Sequence, residues 1–186
     1  MKKILLFAAM ALFTISAAAQ SIGRVSMEEL VTLMPEYMEA QTTLAAVSHE
    51  TSETYEAMIS EYQAKFSQYQ QKQSNWTAAI REAKEKELMD MQNRIQEFQQ
   101  SAGAELQQKQ GELIAPVQQK AFEAVRELAK ANGITAVFDV STLIYYDENA
   151  TIDLMPDARK ALGIPEGRDL EQVKMELSAL QNQYAE

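Results

Sequence analysis

The chain has 186 residues, of which 17 are basic and 27 are acidic, and its net charge is −10. This acidic balance makes nucleic acid and anionic membrane surfaces poor partners. The chain contains no cysteine, which excludes disulfides and thiolate chemistry, so packing or assembly must hold the fold together.

The N-terminus has the features of a secretory signal peptide over residues 1–19. Lys2 and Lys3 form a basic segment, the apolar run "ILLFAAMALFTIS" is too short to span a membrane, and Ala17 and Ala19 fit a cleavage site before Gln20. We therefore expect an exported protein without stable membrane insertion, since no other apolar stretch is long enough. Without Lys2 and Lys3, 15 basic residues face 27 acidic ones, a net charge of −12.

The segment after the signal peptide predicts a strand and a short helix. "SIGRV" is apolar enough for a strand, Ser26 is a candidate N-cap, and Glu29 lies three residues later, as in a capping box. Pro35 should end this helix and occupy the first turn of the next one.

Residues 35–131 are rich in helix formers, and their apolar residues recur at alternating steps of four and three. This spacing is typical of a coiled-coil seam. The first run comprises Tyr55, Ile59, Tyr62, Phe66, Tyr69 and Trp76, and the second comprises Leu88, Met91, Ile95, Phe98 and Ala102.

A reversal near Thr77 would pair the two runs as an antiparallel hairpin, with Ser74 and Asn75 as helix-stop candidates and the tip near residues 74–78. One unbroken helix in a parallel coiled coil is the alternative. A single register joins all the pairs: Phe66 with Leu88, Tyr62 with Met91, Ile59 with Ile95, Tyr55 with Phe98, Ser52 with Ala102, and Tyr37 with Val117.

Three residues of the second arm are candidate hinges. Gly103, Gly111 and Pro116 each weaken or bend a helix. Alternatively, the two glycines allow close contact between helices.

Residues 132–162 predict a small β-rich unit. Asn132 and Gly133 form a helix C-cap signal, and "ITAVFDV" and "TLIYYD" predict two strands. Asp153 is a candidate N-cap for a short helix that contains Pro156, and Gly163 should end that helix.

Residues 163–186 predict a C-terminal helical extension. Leu170, Val173, Leu177 and Leu180 recur on one face of this segment.

The strands carry more apolar residues than one small open sheet can bury. A sheet of two or three strands is barely stable and has bare edges. We therefore predict that residues 20–34 and 132–162 form an oligomerisation body in which several copies share a core. The candidate interface residues are Ile22, Val25, Val137, Phe138, Val140, Leu143, Ile144 and Tyr146.

The sequence offers no catalytic constellation. His49 is the only histidine and lies in a polar stretch, and carboxylates recur beside Lys or Arg at helix-surface spacing, as in "REAKEKE". No glycine-rich phosphate loop is present. We therefore predict no enzymatic activity, no metal site and no cofactor, in a mainly α, α+β fold whose hairpin arm projects from the body.

The order of these elements resembles the Skp/OmpH family of periplasmic chaperones. The resemblance covers residues 21–162 and is carried by "IGRVSMEELVTLMPEY" and by "LIAPVQQKAFEAVRELAKANGITAVFDVSTLIYYDENATIDLMPDARKAL". It implies a periplasmic homotrimer whose helical arms enclose a cavity and hold unfolded outer-membrane β-barrel proteins without ATP. The chain departs from the best-known members in its acidic charge and in the extension from Gly163.

Such a chaperone needs adaptable apolar contacts outside the seam of the arm. Met58, Met89, Tyr69 and Trp76 are the client-binding candidates, with Tyr69 facing Lys84 or Glu85 and Trp76 at the turn. Ordinary packing at the tip is the alternative interpretation. A structural coiled-coil spacer or adaptor of the cell envelope is the alternative function.

Overall fold

The computed structural model describes residues 21–184, so the predicted signal peptide lies outside the described residues. Long helices dominate these residues, which confirms the mainly α, α+β fold. In chain order the elements are β1 (Ile22–Val25), α1 (Met27–Leu33), α2 (Pro35–Lys72), α3 (Ala78–Ala131), β2 (Ala136–Asp139), β3 (Ile152–Asp153), α4 (Met155–Ala161) and α5 (Leu170–Gln183).

The strands form a parallel sheet in the order β2-β1-β3. Gly23 in the central strand pairs with Val137 on one side and Ile152 on the other. A Cβ atom at Gly23 would lie 3.0 Å from the Leu154 side chain and 3.3 Å from that of Ile134. Glycine therefore lets the sheet approach the core closely.

The predicted strand over "TLIYYD" is wrong. Thr142 ends a 3₁₀ turn that begins at Val140, and the third strand is Ile152–Asp153. β2 and β3 lie on opposite sides of β1, about 10 Å apart at two strand spacings. After β2 the chain must pass over β1 before it can pair with the edge of β1 that lies opposite β2. The third strand therefore comes from a segment further along the chain.

Most helix boundaries follow the expected signals. The Ser26 side chain accepts a hydrogen bond from the Glu29 N–H, and α2 begins at Pro35. Asn132 ends α3, and Gly133 takes a positive φ of 62°. The exception is Asp153: Leu154 is the N-cap of α4, while the Asp153 carboxylate accepts from the Met155 N–H at 2.9 Å.

The hydrophobic core joins the sheet, α1, α4, α5 and the C-terminal part of α3. We call this unit the body. Between residues 39 and 116, all of which the structure describes, no residue belongs to this core. The arm therefore extends well beyond it. The most deeply buried large side chains are Leu30, Leu33, Met34, Leu154 and Val173.

Helix α3 continues without a break through the three candidate hinges. A Cβ atom at Gly103 or Gly111 would meet no atom within 4 Å. The alternative of close helix contact is therefore wrong within the protomer, and bending at these residues and at Pro116 stays a prediction.

Candidate functional site

The candidate site is the arm formed by α2 and α3. We divide it into the arm root, residues 35–52 and 102–131, and the distal arm, residues 53–101. From Val117 onward the α3 part of the root also belongs to the body core. In the distal arm Leu88 and Met91 are buried on the seam. The helices run antiparallel, which confirms the hairpin and excludes the unbroken helix.

Tyrosine hydroxyls join the two helices in the predicted register. The Tyr55 hydroxyl accepts from Gln99 Nε2 at 2.6 Å, and the Tyr62 hydroxyl accepts from Gln92 Nε2 at 2.6 Å. These bonds flank the predicted pairs Tyr55 with Phe98 and Tyr62 with Met91. Each tyrosine thus contributes a ring to the seam and a hydrogen bond to the opposite helix.

The tip reverses the chain in a short 3₁₀ turn, Gln73–Asn75, which follows Lys72. Thr77 caps α3 by accepting a hydrogen bond from the Ile80 N–H at 3.4 Å. The rings of Tyr69 and Trp76 pack edge to face with centroids 5.9 Å apart. The tip is therefore a packed turn.

Charged groups tie the helices together near the tip. Glu87 bonds to Lys65 across the hairpin and to Lys84 Nζ at 2.7 Å on its own helix. These hydrogen bonds lower the pKa of Glu87 to about 2 and raise that of Lys65. The Tyr69 hydroxyl donates to Glu85, as one of the two predicted partners, and this bond raises the pKa of Tyr69.

The four client-binding candidates fall into two environments. Tyr69 and Trp76 pack against each other, which favours the tip-packing interpretation for them. Met58 is half-buried, and Met89 is 62% exposed on the outer side of α3. Met89 is therefore the most accessible of the four candidates, whereas Met58, Tyr69 and Trp76 are all partly buried.

A family model described as "Outer membrane protein (OmpH-like)" matches residues 21–162. The chain belongs to the OmpH family. OmpH proteins are periplasmic and chaperone-like, and members of the family are not known as enzymes. A search of curated proteins finds no match to the chain. The family match ends before α5.

The arm of this OmpH protein has an uneven charge distribution. Between residues 35 and 64, α2 carries six glutamates and neither Lys nor Arg. Between residues 65 and 94, six basic residues accompany four acidic ones. The chain as a whole is therefore acidic, whereas the segment around the tip is slightly basic. The net charge of the whole chain does not reveal this difference.

The body exposes part of the apolar set that was predicted to form an interface. Phe138 is exposed and Ile144 is fully exposed, whereas Val25 is buried within the protomer, so we leave Val25 out of the proposed interface. The sequence interpretation missed the exposed apolar residues Tyr145 and Ile152. Ile22, Val137, Val140, Leu143 and Tyr146 are partly exposed.

The part of the chain that the structure describes contains no helix that is both long enough and apolar enough to cross a membrane. No group of three or more His, Asp or Glu side chains in residues 21–184 is arranged to hold a metal ion.

Proposed function

We propose that this protein is an ATP-independent periplasmic holdase for unfolded outer-membrane β-barrel proteins. The observation that carries the proposal is the arm: the 38 residues of α2 extend about 57 Å at 1.5 Å per residue, far beyond the body core. Between residues 39 and 116 this arm offers surface to a long unfolded chain and contributes no residue to the core of the body.

The proposed assembly is a homotrimer whose three arms surround a cavity. The exposed apolar residues of the body, such as Phe138 and Ile144, support association between copies because a small open sheet leaves them in water. The family and the predicted signal peptide support a periplasmic location. The client would lie between the arms and remain soluble until it reaches the outer-membrane assembly machinery.

Weak and numerous contacts suit this task because a holdase must also release its client. Methionine side chains adapt to varied apolar surfaces, and Met58 and Met89 are the proposed contact residues. The mildly basic stretch around the tip, residues 65–94, would also attract acidic client segments. Tyr69 and Trp76 would shape the tip that presents these residues.

Dilution of a urea-unfolded outer-membrane β-barrel protein into the purified mature protein tests the proposal. We expect a soluble complex on gel filtration and suppressed light scattering, both without ATP. The control is the same dilution into buffer with an equal mass of an unrelated soluble protein. Precipitation of the client in both samples would favour the structural spacer.

A paired substitution tests the contact residues. Met58→Ser with Met89→Ser should weaken suppression of client aggregation, whereas Gln70→Ser with Asn93→Ser, at exposed polar positions of the same helices, should not. Equal suppression by both variants, with the oligomer intact, would remove the methionines from the proposal.

A further inference from the structure

Helix α5 lies outside the family match but is part of the folded body. Val173 is 1% exposed and belongs to the same core as Leu30 and Leu33. Ile164, which precedes α5, is also buried in that core. The extension is therefore anchored at its N-terminal end by apolar packing.

Arg168 links the anchored N-terminal end of the extension to the backbone at the start of the arm. Its Nε donates to the Leu33 carbonyl at 3.0 Å, at the end of α1 and two residues before Pro35. Its two terminal nitrogens bind the Glu176 carboxylate at 3.2 and 2.8 Å. A bidentate, charge-assisted pair of this kind holds the guanidinium in a defined orientation.

The C-terminal half of α5 lies along the arm root. Leu177, Leu180 and Tyr184 line a groove with a stretch of α2 from Gln41 to Ser52. The rings of Tyr184 and His49 have centroids 5.5 Å apart. Over this stretch α2 is flanked by both α3 and α5, whereas the distal arm consists of α2 and α3 alone.

We propose that residues 164–184 form a brace that holds the arm root in a fixed direction relative to the body. Helix α3 is held in the body core from Val117 onward, but beyond Met38 helix α2 would otherwise be held at its base only by its seam with α3 and could move away from it. A third helix, anchored in the body core and packed on the side of α2, restricts that motion. Flexibility of the arm is then confined to the region beyond Ser52.

A truncation that ends the chain at Leu177 separates the anchor from the brace. It keeps Ile164, Arg168, Val173 and Leu177 and removes Leu180 and Tyr184, which line the groove on the arm. Hydrogen exchange on the otherwise intact mature protein should then become about tenfold faster over residues 36–52. Residues 62–92 of the distal arm and residues 27–33 of the body should keep their rates. An unchanged rate over residues 36–52 would overturn the proposal.

Point variants keep the test decisive if the truncation also disturbs the body. Leu180→Ser with Tyr184→Ser should accelerate exchange over residues 36–52. Met175→Ser, on the same helix but at a position that is 64% exposed, should leave it unchanged. Equal rates over residues 36–52 in the two variants would show that α5 is an appendage without a bracing role.

Discussion

The body and the distal arm are stabilised in different ways. In the body, side chains from six or more elements converge on one core, and Leu30, Leu33 and Met34 are fully buried. In the distal arm, the fully buried side chains are Leu88 and Met91, and other seam residues such as Ile59 and Ile95 are only partly buried. Hydrogen bonds and ion pairs in contact with solvent also join the two helices.

This difference predicts unequal local stability within one chain. A residue in the body core is held by neighbours distant in sequence, so losing one side chain affects the whole unit. A residue in the arm is held by its own helix and one partner, so the effect of a substitution stays local. For the proposed holdase function, this arrangement would combine a stable base with arms that adapt to the client.

The largest expected effect is in the body core. Leu30→Ala should lower the free energy of unfolding by about 3–5 kcal/mol because it leaves a cavity in a fully packed site. Leu170→Ala, at a leucine that is 46% exposed, is the control and should cost less than about 1 kcal/mol. Chemical denaturation at a fixed protein concentration measures both. Similar losses for the two variants would contradict the assignment of the core.

In the arm, Met91→Ala should lower local stability by about 2 kcal/mol, at the low end for a buried methionine because only two helices surround it. Hydrogen exchange should accelerate over residues 55–98, while the unfolding midpoint of the body is unchanged. Met89→Ala, on the exposed side of the same helix, is the matched control. Loss of body stability with Met91→Ala would show that arm and body unfold as one unit.

At the tip, Thr77→Ala should cost about 1 kcal/mol because the N–H of Ile80 loses its capping oxygen. The change should appear as faster exchange in the first turns of α3. Thr77→Ser retains the hydroxyl and should behave like the wild type. If the serine variant frays as much as the alanine variant, the capping bond does not stabilise the turn.

The smallest expected effect is a loss of stability near the tip as the pH falls. The ordinary pKa of Glu87, 4.5, is lowered to about 2 in the folded arm by Lys65 and Lys84. Its contribution to stability is therefore complete above about pH 4.5 and is lost as the pH falls towards 2. Exchange near the tip, corrected for its intrinsic pH dependence, should accelerate over that range. Glu87→Gln should remove this pH dependence. A variant that retains it would place the responsible carboxylate elsewhere.

The arm could be predicted from the sequence because a heptad pattern specifies a seam directly. Tyr55 and Tyr62 lie where their spacing places them, and the register follows from matching two apolar runs around one turn. Phe66, which the same spacing places in the seam opposite Leu88, is 41% exposed. The prediction of a strand over residues 142–147 was wrong for the opposite reason. Its aromatic and β-branched residues fit a strand locally, but pairing with β1 decides which segment becomes one.

Other features depend on contacts that no local pattern contains. Gln92 and Gln99 look like solvated helix residues, yet they bond to tyrosines of the opposite helix. The bond from Arg168 to the Leu33 carbonyl joins residues 135 positions apart. The amphipathic pattern of α5 predicted a helix with a buried face, but the surface that buries it became visible only in three dimensions.

Cross-linking from single cysteines tests the central claim most directly, since the chain has no cysteine of its own. A photoreactive label at Met89→Cys or Met58→Cys in the arm should capture an unfolded outer-membrane protein without ATP. A label at Lys160→Cys, exposed on α4 of the body, serves as the control. The account predicts efficient capture from both arm positions and little from the body. Capture from α4 alone, or none from any position, would contradict a holdase that works through its arms.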